Sequence, residues 1–226
     1  TWVVVADAAD STIKRYHFTG GEPRLSFQHR RDIYTEADTG LVSVLVWKEI
    51  SGLAADDELN VYITDAVRDT VSRYDRNGRV VRVVSTAGSG DGYCISARGI
   101  SWNGSELLVG DTGQNRVVLL DPDGTETATR PPIGIRPTDP APVLPEDVAP
   151  DRNRKFAYVA DTGQSRVLKY LLSGEFVDSV YSIRDLDARL GPPIAGPRHI
   201  AVEEPLVFVA DPANNRLVAF ALADSF

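Results

Sequence analysis

The chain of 226 residues sets 24 Lys and Arg against 32 Asp and Glu, a formal charge of −8, and 42% of it is hydrophobic. That is enough apolar material for a packed core, in one large β domain or at most two small ones, and it excludes a largely disordered chain. A pI near 4.9 disfavours a nucleic-acid or anionic-membrane partner, because phosphate backbones are bound by Lys and Arg that displace counterions.

In chain order, the sequence repeats itself five times: VVVADAADSTIKRY (3–16), VYITDAVRDTVSRY (61–74), LLVGDTGQNRVVLL (107–120), AYVADTGQSRVLKY (157–170) and VFVADPANNRLVAF (207–220). The shared aspartates are Asp7, Asp65, Asp111, Asp161 and Asp211, spaced 58, 46, 50 and 50. Six residues after each stands Ile13, Val71, Val117, Val167 or Leu217, and nine after stands Tyr16, Tyr74, Leu120, Tyr170 or Phe220. Each copy reads as two β-strands around a polar, Asp-led turn. A short apolar segment precedes the later copies (GLAA 52–55, GISW 99–102, DVAP 147–150, HIAV 199–202). Another follows a Gly-containing turn (RLSFQ 24–28, RVVRVV 79–84, EFVDSV 175–180). Four strands in about 50 residues, repeated in series, predict a β-propeller of four-stranded antiparallel blades. No 3.6-residue periodicity supports a helical solenoid.

GLAADDELNVYITD, DTGQNRVVLLDPDG and DTGQSRVLKYLLSGEF resemble NHL repeats, and the resemblance covers nearly the whole chain. It implies a propeller, six-bladed when complete, and a family that hosts protein binding, RNA binding and some lyases. The family Arg is present as Arg116, Arg166 and Arg216, but Thr12 and Thr70 replace it in the first two copies. With strands a to d named outward from the channel, the spacing predicts one domain over 1–226 that lacks strand a of the first blade and strand d of the last. Further strands would then come from flanking sequence or another chain, since open edges invite pairing.

The b-to-c turns and the d-to-a connections (30–50, 85–98, 130–145, 182–197) emerge on one face, where a ligand or protein partner is to be sought. Asp7, Asp65, Asp111, Asp161 and Asp211 are read as structural, their carboxylates accepting turn amides. Their partners Arg116, Arg166 and Arg216 are expected to form ion pairs between neighbouring turns. AGSGDG (87–92) matches no phosphate-loop pattern, and PPIGIRPTDPAPVLP (131–145) is expected to be extended, as an arm, a clamp over the channel or a rigid surface loop. Just before strand a, Arg98, Glu146, Asp147, Arg198 and His199 hold corresponding positions and could ring the channel mouth as a mixed-charge pocket for a small polar ligand.

His17 and His29 fall in other strands and do not converge with His199, which argues against a three-histidine site like that of the amidating lyases sharing this fold. No GxSxG occurs. The reading is a non-enzymatic scaffold that binds a protein or small ligand and needs no cofactor, with no nucleic acid and no membrane insertion. The longest apolar run, Leu41 to Trp47, is broken by Ser43 and falls far short of the roughly 20 residues of a spanning helix. The alternative is a metal-assisted lyase or hydrolase using a divalent cation such as Ca or Zn at the channel mouth. Trp2, Trp47 and Trp102 are assigned to packing, and the lone Cys94 reads as a small buried hydrophobe that leaves the redox compartment open. No targeting segment is in view, and only the resemblance leans toward an extracytoplasmic location.

Overall fold

A computed structural model of the chain describes residues 2–7, 12–19, 22–30, 48–76, 79–123, 131–137, 139–181 and 192–221. Its strands, in chain order, are β1 (Trp2–Asp7), β2 (Thr12–Thr19) and β3 (Glu22–Arg30); β4 (Ile50–Ala55), β5 (Val61–Asp65), β6 (Thr70–Tyr74) and β7 (Val80–Ser85); β8 (Ala97–Trp102), β9 (Leu107–Asp111) and β10 (Arg116–Leu120). They continue with β11 (Pro145–Pro150), β12 (Phe156–Asp161), β13 (Arg166–Leu171) and β14 (Phe176–Tyr181), then β15 (His199–Glu203), β16 (Leu206–Asp211) and β17 (Arg216–Ala221). Each repeat is one antiparallel sheet with its strands side by side in sequence order. The repeated Asp closes the second strand opposite the first residue of the third: Asp7 pairs with Thr12, Asp65 with Thr70, Asp111 with Arg116, Asp161 with Arg166 and Asp211 with Arg216.

Because strand side chains alternate between faces, blades 2, 3 and 4 each feed two cores. In β5, Val61 and Ile63 pack with Ile13 of blade 1, while Tyr62 between them packs with Ile100, Leu107, Val109 and Val118 of blade 3. Leu108, Val117 and Leu119 of blade 3 meet Val148, Val159, Leu168 and Tyr170 of blade 4. Tyr158, Ala160 and Val167 of blade 4 meet Ile200, Val207 and Val209 of blade 5. At about 2 kcal/mol per fully buried aliphatic or aromatic side chain, these four seams hold the blades together. The innermost strands β4, β8, β11 and β15 lie against one another in that order.

Blades 2 and 4 have four strands, and blade 1 has three, β1 to β3. In blade 3, part of the segment expected as a fourth strand lies outside the described residues. Its described sheet stops at β10, and the place of a fourth strand is marked only by Ile133, which exchanges backbone hydrogen bonds of 3.1 and 2.8 Å with Val117. Pro131 and Pro132 carry no N–H, so a longer ladder cannot form at that point; residues 124–130 lie outside the described residues. Blade 5 consists of β15 to β17, and none of the described residues covers its outward face. Val71, Val117 and Val167 are all 0% exposed, whereas the equivalent Leu217 is 68% exposed. Among the described residues, no helix is long and apolar enough to cross a membrane.

Candidate functional site at the channel mouth

The repeated turns fasten the loops that frame the mouth. Asp111 accepts a hydrogen bond from the Ile95 amide at 2.8 Å, and Asp161 one from Val143 at 2.6 Å, so the carboxylates anchor the incoming d-to-a connection. Asp211 does the same for Ala195 at 3.1 Å. The expectation of turn amides holds only for Asp65, which accepts from Val67 and Arg68 at 3.1 Å and also from Lys48 at 2.5 Å. In the other three the turn is a single 3₁₀ turn closed by a left-handed residue, Asn115, Ser165 or Asn215, and no side chain caps it. Nothing is described of the Asp7 side chain.

The ion pairs also differ from expectation, because each lies within one turn and not between neighbours. Arg116 Nε donates to Asp111 Oδ2 at 2.7 Å, Arg166 to Asp161 at 2.6 Å and Arg216 to Asp211 at 2.9 Å. The reason is register: the two residues face each other at the end of a strand pair, five apart in sequence. The guanidinium then reaches on to loop carbonyls, Arg116 to Gly90 at 2.7 Å and Tyr93 at 3.0 Å, and Arg166 to Ala141 at 3.2 Å. Burial raises the Asp111 and Asp161 carboxyls above the ordinary range against these donors. For Asp211 burial is outweighed by Asn214, the Ala195 amide and Arg216, and its carboxyl is lowered.

The Pro-rich connection is fixed to the body. The Tyr170 hydroxyl donates to the Pro140 carbonyl, the Phe176 amide donates to Asp139 Oδ2 at 3.1 Å, and Gly163 donates to the Val143 carbonyl at 2.8 Å. It is a rigid strap across blades 3 and 4. AGSGDG is likewise held, with Gly88 accepting from Gln114 at 2.8 Å. The connections over 31–47 and 182–191 lie outside the described residues.

At the mouth itself, four of the five sequence-chosen residues come together in two pairs that cross from blade to blade. Arg98 of β8 lies 3.6 Å from Glu146 of β11, and Asp147 of β11 lies 3.7 Å from His199 Nδ1 of β15. Asp147 also accepts from the Val148 amide at 2.9 Å and the Ile200 amide at 3.1 Å. The Asp147 carboxylate raises the basicity of His199 above that of an ordinary imidazole, burial opposing it, with Glu146 adding to the rise and Arg198 working against it. Arg98 Nε is buried without a hydrogen-bond partner. Arg198 is exposed, and its backbone amide bonds to the Ala210 carbonyl at 3.1 Å. Sequence reasoning missed Ser51, which holds the Arg98 place in blade 2 and donates to the Ala97 carbonyl at 2.7 Å. It also missed Gly52 and Gly99, which lie beside it. The GL and GI dipeptides, aligned with DV and HI, carried that signal.

Elsewhere, Cys94 is 0% exposed and burial pushes its thiol up to about 12, so it is unreactive at neutral pH. Trp102 stacks on Tyr62 with ring centroids 6.3 Å apart, a packing role as expected. Trp47 and the Trp2 side chain lie outside what is described, as does the His29 side chain. His17 sits in β2 opposite Trp2 and Arg24. A wide, shallow depression of about 540 Å³, lined by Asp57, Glu58, Leu59, Asn60, Asp75 and Arg76, lies on the other face, at the a-to-b and c-to-d turns of blade 2.

No protein-family model matches the chain, and no curated protein matches it. Among solved structures, a functionally unknown protein from Desulfotomaculum acetoxidans is similar with a TM-score of 0.60 at 13% identity, over 92% of this chain and 59% of that one. Virginiamycin B lyase from Staphylococcus aureus is similar with a TM-score of 0.56 at 10% identity, over 98% of this chain and 70% of the lyase. These likenesses show the β-propeller fold, and at such identities the fold alone.

Proposed function

We propose that the chain is an NHL-type propeller that works as a binding module and takes a small polar ligand at the channel mouth, with the loop-rich face beside it available to a protein partner. The observation that carries this reading is the alternation of charge around the mouth, Arg98 with Glu146 and Asp147 with His199, each pair bridging two blades. Such pairs supply donors and acceptors in fixed positions. Thermal-shift screening against neutral, cationic, anionic and zwitterionic small molecules tests it. A stabilising compound whose effect vanishes in Glu146→Gln and Arg98→Gln supports the reading; stabilisation that survives both substitutions overturns it.

One observation favours a second reading, a metal-assisted lyase or hydrolase at the same place: the His199 side chain is 73% exposed beside a carboxylate, an arrangement suited to moving a proton. Among the described residues no three His, Cys, Asp or Glu side chains come together to hold a metal ion. The described residues therefore assemble no ready-made Ca or Zn site. Metal analysis of the purified protein separates the two readings, since stoichiometric metal would favour the enzyme.

A further inference from the structure

Gly52, Gly99, Asp147 and His199 share one place in successive repeats, each directly before the residue that pairs with the middle of the second strand: Leu53 with Ile63, Ile100 with Val109, Val148 with Val159 and Ile200 with Val209. In blades 2 and 3 this place is glycine because the next innermost strand presses against it. A Cβ on Gly52 would stand 2.3 Å from the Arg98 carbonyl oxygen, and one on Gly99 would stand 2.1 Å from Asp147 Oδ1 and 2.5 Å from Asp147 Cα. In blade 4 the same place carries a carboxylate, lodged against the bare face of Gly99 and held by the amides of Val148 and Ile200. Its side chain is 15% exposed, while that of His199, which it pairs with, is 73% exposed.

We propose that His199 and Arg198 form an oxyanion-binding site at the channel mouth, with Asp147 as a positioning residue that orients the imidazole. This rests on the reading of the mouth as a ligand site and names the ligand: a small molecule bearing a carboxylate or a tetrahedral oxyanion.

Charge accounting carries the assignment. Of the acidic groups facing His199 from β11, Glu146 is engaged by Arg98 and Asp147 by two backbone amides as well as by His199. On the side of β16, Asp211 is taken by Arg216, Asn214 and the Ala195 amide. Among the described residues no carboxylate pairs with Arg198. Counted over the described residues, the mouth is thus close to neutral when His199 is neutral and gains an uncompensated positive charge when it protonates. The ligand follows: an anion binds the protonated form and is released as pH rises.

The test is an NMR titration of the His199 imidazole, with propionate as the planar probe and sulfate as the tetrahedral one, both of fixed charge across the range used. By reciprocal linkage, an anion that binds the protonated form raises the His199 midpoint, and its affinity falls about tenfold per pH unit above that midpoint. The rise is expected in the wild type and lost in Arg198→Gln, an exposed change that leaves the fold intact, while Asp147→Asn lowers the midpoint without any anion. A response to one probe alone assigns the oxyanion class. A midpoint unmoved by both anions, while a neutral or cationic compound still binds in an Arg98- and Glu146-dependent way, overturns this inference and leaves the ligand reading standing. If no compound of any class binds at the mouth, both fall. A midpoint unchanged in Asp147→Asn overturns the positioning role.

Discussion

Leu144 donates its backbone N–H to the Asn115 side-chain oxygen at 2.9 Å, and both residues are left-handed, with φ of 52° and 56°. The same link recurs one blade earlier, where the Ser96 amide (φ 54°) donates to Asp69 (φ 54°) at 2.5 Å. In blade 5 the place of Leu144 is Gly196, with φ of 83°. A left-handed residue thus stands just before the innermost strands β8, β11 and β15, and in blade 4 a leucine takes that conformation against its steric preference. Leu144→Gly is expected to stabilise the protein by about 0.5–1 kcal/mol in urea denaturation, since the side chain is 48% exposed and loses little packing. A loss of stability would mean that Leu144 packs more strongly than its exposure indicates.

Asp161→Ala removes the partner of a guanidinium that is only 21% exposed and orphans the Val143 amide. The expected cost is about 3 kcal/mol, that of a broken buried pair. Asp65, with amide donors and Thr70 in place of the arginine that faces the other aspartates, should cost less, about 1–2 kcal/mol. Equal losses at the two positions would show that the arginine contributes nothing.

Ile133 is 0% exposed and packs with Val117, Leu119 and Leu168. Ile133→Ala should therefore destabilise by about 3 kcal/mol and speed proteolysis within 131–145, although the residue lies in a segment without a strand pattern. A change below about 0.5 kcal/mol would return the segment to the class of dispensable surface loops.

His199 has a raised folded-state pKa, so the stability it contributes is complete below the ordinary imidazole value of 6.5 and is lost as pH rises through the higher folded value. Asp211 has a lowered one, so its contribution is present above 3.8 and is lost as pH falls through the lower folded value. Urea midpoints measured across pH should show the upper limb, which Asp147→Asn should remove, while at acid pH the Asp211 limb is opposed by the raised carboxyls of Asp111 and Asp161, whose ionisation costs stability. An unchanged upper limb in that variant would contradict the ion pair.

The uncovered face of blade 5 presents Leu217 at 68% exposure and Leu206 at 37%. The 226-residue chain is expected to self-associate through it, and Leu217→Lys should shift sedimentation velocity toward the monomer. A wild-type chain that is monomeric at high concentration would show that the face needs no partner.

The repeat made the blades legible before any coordinates, since an Asp at a fixed distance from Val, Tyr and Phe reports both the turn and the alternation of faces. The mouth residues were legible as corresponding positions for the same reason. The Asp–Arg pairing within a turn was not, because five-residue separation in sequence says nothing of which neighbour a long guanidinium will face until register is known. Nor was the strap visible: Pro140 offers only a carbonyl, and its partner Tyr170 lies 30 residues on. Asp147 escaped notice as a bridge because its place is set by what Gly99 lacks.

Each seam is completed by the blade that follows it, as when Tyr62 waits for Leu107 and Val109 or Tyr158 for Val207. A ribosome making 5–20 residues per second takes roughly 3–10 s to deliver the next blade. Throughout synthesis, then, the newest sheet presents one bare apolar side to the cell, and the hazard moves along the nascent chain as each blade is covered by its successor.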